Sequence, residues 1–166
     1  ESIVNRPMRI GIVVQTIAQT AAVLGAFLVG LSWHLDIQIP PGANPLLYLL
    51  EYNWRGVDVR TAQTMAFVTL SLCELFRAYT VRSERVSVFR LGVFSNKYMQ
   101  YAVGASVVLL LLVIYVPFLQ PVFNTHMMSA TEWSLVLGLS LIPAVAEEIT
   151  KFFLRRRQGS AEPAGA

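Results

Sequence analysis

The residue in this sequence with the most potential for chemistry is a carboxylate inside an apolar segment. Residues 61–81 form a run long and apolar enough to cross a bilayer, yet Glu74 lies near its end and Arg77 follows one turn later. A charge at the centre of a membrane span costs roughly 2.5–3.5 kcal/mol on insertion scales, so such a group is a functional-site hypothesis by default. Hard cations such as Ca²⁺ bind about six to eight oxygen ligands, and Glu74 can supply one of them if other helices bring the rest.

A second interpretation of Glu74 is equally compatible with the spacing. Arg77 lies at i+3 on the same helical face, which favours a salt bridge between the two side chains. Leu70 and Ser71, at i−4 and i−3, are the other neighbours on this face, and the Ser71 hydroxyl is a possible further oxygen ligand. Cation ligand and salt-bridge partner therefore both remain open from spacing alone.

Other candidate residues have less promising surroundings. Glu147 and Glu148 form a carboxylate pair of the kind that binds metal or transfers protons, but Lys151 lies at i+4 and i+3 from them. This spacing favours a ladder of charges at the membrane interface. Cys73 is adjacent to Glu74 but on a different face, which is typical of a small packing residue, and a single cysteine excludes an intrachain disulfide.

The composition is that of a membrane protein. Among 166 residues, 55% are hydrophobic and 14% are charged, which is far from an ordinary soluble domain. The net charge of +3 does not indicate nucleic-acid binding, because the basic residues lie beside apolar runs rather than on a hydrophilic face. We therefore expect no nucleic-acid partner.

The helices that must position Glu74 are predicted as four membrane spans. They cover about residues 10–33, 61–81, 98–117 and 133–153. The fold class is accordingly all-α, a polytopic membrane protein whose domain extends over residues 1–157 and ends in a disordered tail, 158–166. Residues 34–60 form a Pro-containing linker. Ser129 and Glu132 fit a capping box before the last helix, and Pro143 predicts a kink within it.

The distribution of basic residues predicts the orientation of these spans. Of the 13 Lys and Arg residues, only Arg55 and Arg60 fall on the side opposite the termini, which leaves eleven on the side of the termini. By the positive-inside rule, both termini are expected in the cytoplasm.

The start of the sequence and the motifs that it lacks bear on its function. The chain begins with Glu1 in a polar run, which we interpret as the middle of a longer protein, and the first apolar run is too long for a signal peptide. The sequence has no Walker A loop, dinucleotide fingerprint, HExxH motif or nucleophile elbow. We predict no catalytic residue and no cofactor in this chain.

Three stretches, in this order, resemble the C-terminal membrane region of P-type cation-transporting ATPases, the calcium-pump branch in particular. The first runs from Ala62-Gln-Thr-Met-Ala-Phe to Arg82-Ser-Glu, the second from Phe94-Ser-Asn-Lys to the Pro-Phe-Leu ending at Leu119, and the third is Trp133 to Phe153. Asn5-Arg6-Pro7 is similar to the turn before the seventh span of these pumps. The resemblance implies that the four spans are helices seven to ten. Residues 34–60 match worst and lack the cysteine pair found in some animal pumps.

The family couples ATP hydrolysis, through an aspartyl-phosphate, to cation movement. The resemblance implies that Glu74 corresponds to the eighth-helix carboxylate of calcium pumps with two ion sites, and hence that Glu74 is a metal ligand. The phosphorylated Asp-Lys-Thr-Gly motif, the nucleotide-binding domain and the helices that hold most cation ligands are absent from this sequence. Whether the chain counts as an enzyme is thus left open, since ATP and magnesium would act only in the full pump.

The same resemblance implies the partners and the location. The partners are the lipid bilayer and the remaining helices and cytoplasmic domains of the pump, with calcium or another cation as the transported ion. The location is a multi-pass integral membrane one, in the cell membrane if the source is bacterial. Two rival hypotheses remain: a free-standing, proton-coupled four-span transporter with Glu74 as its proton site, and a remnant with a purely structural role.

Overall fold

The computed structural model describes residues 6–34, 40–44, 47, 48, 51, 58–80 and 96–159, with side chains for all of these except 6–8, 34 and 154–159. The helices defined in this part are α1 (Arg6–His34), α2 (Arg60–Thr80), α3 (Lys97–Tyr115), the single-turn α4 (Gln120–Phe123) and α5 (Ala130–Gly159). No strand occurs among the described residues, which agrees with the all-α prediction. Most of the connector between α2 and α3, most of the linker 34–60 and the tail from residue 160 lie outside the described residues.

Two of the described helices are long and apolar enough to cross a membrane. They are Arg9–Trp33, within α1, and Lys97–Tyr115, which is α3. α2 and α5 are the helices that carry the acids Glu74, Glu147 and Glu148. That α2 and α5 also cross the membrane, which would make four spans, therefore remains a prediction.

Local chemistry explains where two helices begin and end. α5 starts at Ala130, three residues before the predicted span, because Ser129 and Glu132 form the expected capping box. α3 stops at Tyr115, two residues early, since Val116 precedes a proline and adopts an extended conformation (φ −85°, ψ 114°). α5 continues through Pro143.

The core lies between α1, α2 and α5, with α3 added along one side of α2. Buried apolar side chains from all four long helices and from the connector before α5 form one cluster. Its members are Ala26, Met65, Val68, Leu72, Leu110, Ile114, Met128 and Val136. The outward face of α3 is largely apolar and exposed, as expected for a helix whose solvent is lipid.

Small residues allow α1 and α2 to approach closely. Ala22, Ala26 and Gly30 are buried on one face of α1 at intervals of four residues. A Cβ at residue 30 would stand 2.8 Å from the Ala62 Cα, a distance that side chains essentially never show. Such close approach is the usual device for helix packing in membranes, where lipid is as apolar as leucine.

Cross-helix contacts fix the directions of the three core helices. Gly30 faces Ala62 near one end of the bundle and Gln19 contacts Glu74 farther along it, so α1 and α2 run antiparallel. α2 and α5 run parallel, because bonds from the middle and the end of α2 reach successively later residues of α5.

α3 runs opposite to both α2 and α5. The Tyr79 hydroxyl, near the end of α2, donates to Gln100 near the start of α3, 2.9 Å away. At the other end of α3, the Tyr115 hydroxyl accepts a hydrogen bond from the Trp133 indole near the start of α5. The four long helices therefore alternate in direction along the chain.

Candidate functional site

Glu74 lies on a face of α2 that the rest of the described chain leaves partly exposed. Its side chain is 52% exposed. It belongs to an exposed stripe with helical spacing that consists of Gln63, Phe67, Leu70, Glu74 and Ala78. The carboxylate is therefore directed away from the core that α1, α2 and α5 share.

Glu74 accepts a hydrogen bond from Gln19 on α1. The Gln19 amide nitrogen, Nε2, lies 2.7 Å from Glu74 Oε1. Arg77 Nη1 lies 3.9 Å from the same oxygen, with 41% of its side chain exposed, which is beyond hydrogen-bonding distance. The predicted Glu74–Arg77 pair is thus a loose ion pair, and exposed pairs of this kind contribute about 0–1 kcal/mol. In the described part of the chain, Glu74 Oε2 has no hydrogen-bond partner.

Ser71, the possible second oxygen ligand, bonds within its own helix. Its hydroxyl donates to the Phe67 carbonyl at a distance of 2.8 Å. A hydroxyl oxygen that donates its proton keeps its lone pairs. Ser71 could therefore still offer an oxygen next to Glu74, whereas Leu70 adds only apolar surface to this face.

A second glutamine precedes Gln19 by one helical turn. Gln15 is only 5% exposed, and its Oε1 has no hydrogen-bond partner among the described residues. Gln15 and Gln19 continue the face of α1 that carries the small residues Ala22, Ala26 and Gly30. The interface between α1 and α2 is therefore apolar and tight in one half and polar in the other.

The described residues do not assemble a complete metal site. They contain no group of three or more His, Cys, Asp and Glu side chains that could hold a metal ion. A divalent cation at Glu74 would have one carboxylate from this chain, with amide and hydroxyl oxygens beside it, while hard cations take about six to eight oxygens. Further ligands would have to come from outside this bundle.

Glu147 and Glu148 on α5 form a largely buried cluster with Lys151 where α5 contacts Thr80 of α2. Lys151 Nζ lies 3.0 Å from Glu147 Oε1 and 3.5 Å from Glu148 Oε1, which are the i+4 and i+3 pairs expected from the sequence. The lysine is only 6% exposed, so the charge ladder expected from the sequence has its cation in the interior of the bundle. It also bonds to α2: Lys151 Nζ donates to the Thr80 carbonyl and the Thr80 hydroxyl donates to Glu147 Oε2, 2.6 Å away.

Cys73 is a packing residue, as its position predicted. The side chain is 1% exposed, and its thiol lies 3.7 Å from the Ser140 carbonyl as a weak hydrogen-bond donor.

The sequence alone did not predict the hydrogen-bond partners of the candidate residues. Gln19 bonds to Glu74 and Thr80 bonds to Glu147, and Gln15 lies one helical turn before Gln19; none of the three was predicted as a partner. A signal existed for the glutamines: two long amides four residues apart in an uncharged span share one helical face. Nothing in the local sequence distinguishes Thr80.

The sequence matches one protein family over most of its length and several individual proteins over a part of it. The sequence model of the family described as "Cation transporting ATPase, C-terminus" matches residues 1–153. A calcium-transporting ATPase of Bacillus subtilis is 42% identical over 101 residues, which are 61% of this chain and 11% of that protein. Calcium-transporting ATPase 1 of Bacillus cereus is 40% identical over 90 residues, 54% of this chain and 10% of that protein.

An animal protein is similar over the same share of the chain. The mouse calcium-transporting ATPase type 2C member 1 is 39% identical over 103 residues, 62% of this chain and 11% of that protein. The chain thus spans about a tenth of the length of the curated relatives it matches.

Proposed function

This chain belongs to the family of cation-transporting ATPase C-terminal regions, and from that membership we propose that it forms helices seven to ten of a larger, ATP-driven calcium pump. The observation that carries the proposal is the family match over residues 1–153. The relatives named as calcium-transporting ATPases support calcium as the transported ion. ATP hydrolysis belongs to domains that lie outside this sequence, and this chain contributes membrane helices.

Within this proposal, Glu74 is a ligand for the transported cation. Its carboxylate lies on the exposed stripe of α2. Contact between this charge and lipid would be unfavourable, whereas contact with a polar or cationic group would be favourable. The stripe is therefore the surface on which the preceding helices of the pump would pack, and the ligands missing from this chain would come from them.

The arrangement of the four helices supports a multi-pass membrane location with both termini in the cytoplasm. Consecutive long helices alternate in direction, as successive crossings require. The eleven-to-two distribution of Lys and Arg favours the side of the termini as cytoplasmic. In a bacterial source, the membrane would be the cell membrane.

The test is calcium transport by the complete protein in sealed membrane vesicles. We expect ATP-driven uptake of radioactive calcium, with an apparent calcium affinity at least about tenfold lower for Glu74→Gln, because the amide keeps the shape and loses the charge that a hard divalent ion requires. A drop from two calcium ions to one per ATP would support the same role.

Arg77→Gln is the matched control, since it removes the other charge of the same helical turn. It should leave calcium affinity within about twofold of the unchanged protein, because the ion pair with Glu74 is loose. If Glu74→Gln and Arg77→Gln reduce the amount of folded protein equally and neither alters affinity, Glu74 is a structural partner instead. Absence of ATP-driven calcium uptake would contradict the calcium assignment.

A further inference from the structure

The carboxylate of Glu74 is held in place by a neutral donor from a different helix. Gln19 Nε2 donates to Oε1 at 2.7 Å, and the described part of the chain leaves Oε2 without a hydrogen bond. From this geometry we propose that Gln19 is a positioning residue, which fixes one oxygen of Glu74 so that the other oxygen is presented to the transported cation. The proposal rests on the proposed function of Glu74 as a cation ligand.

The orientation of the Gln19 amide follows from the charge of its partner. An ionised carboxylate only accepts hydrogen bonds, so the NH₂ group, and not the carbonyl oxygen, must face Glu74. A hydrogen bond to a charged group is shorter and about twice as strong as one between neutral groups. The bond therefore restrains a side chain that is 52% exposed and would otherwise sample several rotamers.

The neutrality of glutamine matters as much as the bond. A Lys or Arg at position 19 would also hold the carboxylate, but its positive charge would compensate Glu74 and repel a divalent cation at close range. The amide orients the oxygen while the negative charge stays available to the ion. Arg77 does not take this role, since its Nη1 is 3.9 Å from Oε1.

The helix that carries Gln19 packs closely against α2 farther along the same face. Gln19 lies on the same face of α1 as Ala22, Ala26 and Gly30, where α1 and α2 come into close contact. Rigid supporting elements are what a binding group needs in order to keep its geometry. Glu74 itself is held on α2, so the bond joins two helices that are already packed.

The experiment is a double-substitution cycle in the complete pump, with calcium-dependent ATPase activity as the readout of apparent calcium affinity. Gln19→Leu removes the hydrogen-bond donor and keeps the size of the side chain. We expect it to lower the apparent calcium affinity about three- to tenfold, because part of the free energy of one charge-assisted hydrogen bond is lost. In the Glu74→Gln background, Gln19→Leu should have no further effect on affinity. Thr20→Val, an exposed neighbour on another face of α1, is the matched control and should leave affinity unchanged.

A lysine at position 19 tests whether the neutral charge of the donor matters in addition to the hydrogen bond itself. Gln19→Lys can still donate to Glu74, yet it adds a charge, so it should lower calcium affinity more than Gln19→Leu does. Equal amounts of folded protein in all variants are expected, because a single interhelical hydrogen bond contributes little to the stability of a membrane bundle.

The outcomes distinguish this inference from the function on which it rests. If Glu74→Gln lowers affinity and Gln19→Leu does not, or if Gln19→Leu has the same effect with and without Glu74, Gln19 does not act through Glu74 and the inference fails alone. If Glu74→Gln leaves affinity unchanged, the ligand role and the positioning role both fail. A loss of folded protein with unchanged affinity would make Gln19 a structural residue.

Discussion

Lys151 on α5 donates a hydrogen bond from its side-chain amine to the main-chain carbonyl of Thr80, the last residue of α2. A buried ammonium group needs hydrogen-bond acceptors, and this carbonyl supplies one beside the carboxylates of Glu147 and Glu148. Because Thr80 also donates its hydroxyl to Glu147, the end of α2 is attached to α5 through both its main chain and its side chain. The charged cluster thus holds this part of the Glu74-bearing helix against α5.

Replacing Lys151 by methionine should destabilise the bundle strongly. The substitution would leave Glu147 and Glu148 close together without their shared cation, and removal of one partner of a buried ion pair costs about 3–5 kcal/mol. Lys151→Arg keeps the charge and should recover a good part of the loss. The measurement is the thermal unfolding midpoint of the detergent-solubilised complete protein.

An exposed lysine provides the control for that experiment. Lys97, at the start of α3, is exposed, and Lys97→Met should change the unfolding midpoint by little. Adding Glu147→Gln and Glu148→Gln to Lys151→Met should restore part of the stability, because the uncompensated charges are removed. Equal midpoints for Lys151→Met and Lys97→Met would contradict a structural role of the cluster.

The sequence predicts interactions within one helix far better than those between helices. The capping box of Ser129 and Glu132 and the pairing of Lys151 with the acids before it follow from spacings of three and four residues, and both are present. The bond between Gln19 and Glu74 joins residues 55 positions apart, and it depends on how far α1 is shifted along α2. That shift is decided by side-chain packing over the whole interface, which a single sequence does not display.

Packing between helices also decides which small residues of α1 form the contact with α2. The sequence of α1 alone does not indicate which of its glycines contacts another helix, and in the structure the buried face carries Ala22, Ala26 and Gly30. Gly25 has open space where a side chain would be added. Helical periodicity identifies possible faces, but only the partner helix decides which face is buried.

The start of α5 gives a prediction about which half of its capping box matters more. Glu132 accepts from the Ser129 main-chain N–H at 2.5 Å, whereas the reciprocal bond from the Glu132 N–H to the Ser129 hydroxyl is 3.4 Å long. Glu132→Ala should therefore cost more than Ser129→Ala, for which typical cap losses are about 1 kcal/mol. Glu132→Gln keeps an acceptor oxygen and should lie between the unchanged protein and Glu132→Ala.

Thermal unfolding midpoints of the three variants check this order. The exposed neighbour Thr131 is a suitable control, since Thr131→Ala removes a side chain of the same helical turn without touching either capping bond. If Ser129→Ala proves more destabilising than Glu132→Ala, the hydroxyl bond is the stronger one and the geometry of the cap is different from that described.

The orientation of the bundle is open to a direct test with epitope tags in the complete protein. We expect tags at the C-terminus and in the connector 82–97 to be reached by antibody only after permeabilisation, and a tag in the first loop to be reached in intact cells. Gly42 has a positive φ of 96°, which side chains rarely adopt, so the loop tag is best inserted after Ala43. If the C-terminal tag is reached in intact cells together with the loop tag, while the connector tag is not, α5 does not cross the membrane.

Gly30 should be the glycine on α1 whose substitution the bundle tolerates least. A Cβ at this position would stand 2.8 Å from the Ala62 Cα and 3.2 Å from the Ala62 Cβ, so Gly30→Ala must push α1 and α2 apart. Overpacking of this kind typically costs about 1–3 kcal/mol. Gly25→Ala makes the same chemical change in the same helix with nothing within 4 Å, and alanine is favoured over glycine inside a helix by about 0.5–1 kcal/mol.

The two alanine variants are therefore expected to shift the thermal unfolding midpoint in opposite directions, down for residue 30 and up for residue 25. Adding Ala62→Gly to Gly30→Ala should recover only part of the loss, because it removes the Cβ contact and leaves the closer contact with the Ala62 Cα. Full recovery would mean that side-chain volume alone limits the approach. Equal midpoints for Gly30→Ala and Gly25→Ala would mean that α1 and α2 do not meet at Gly30, and the register that brings Gln19 to Glu74 would then lose its support.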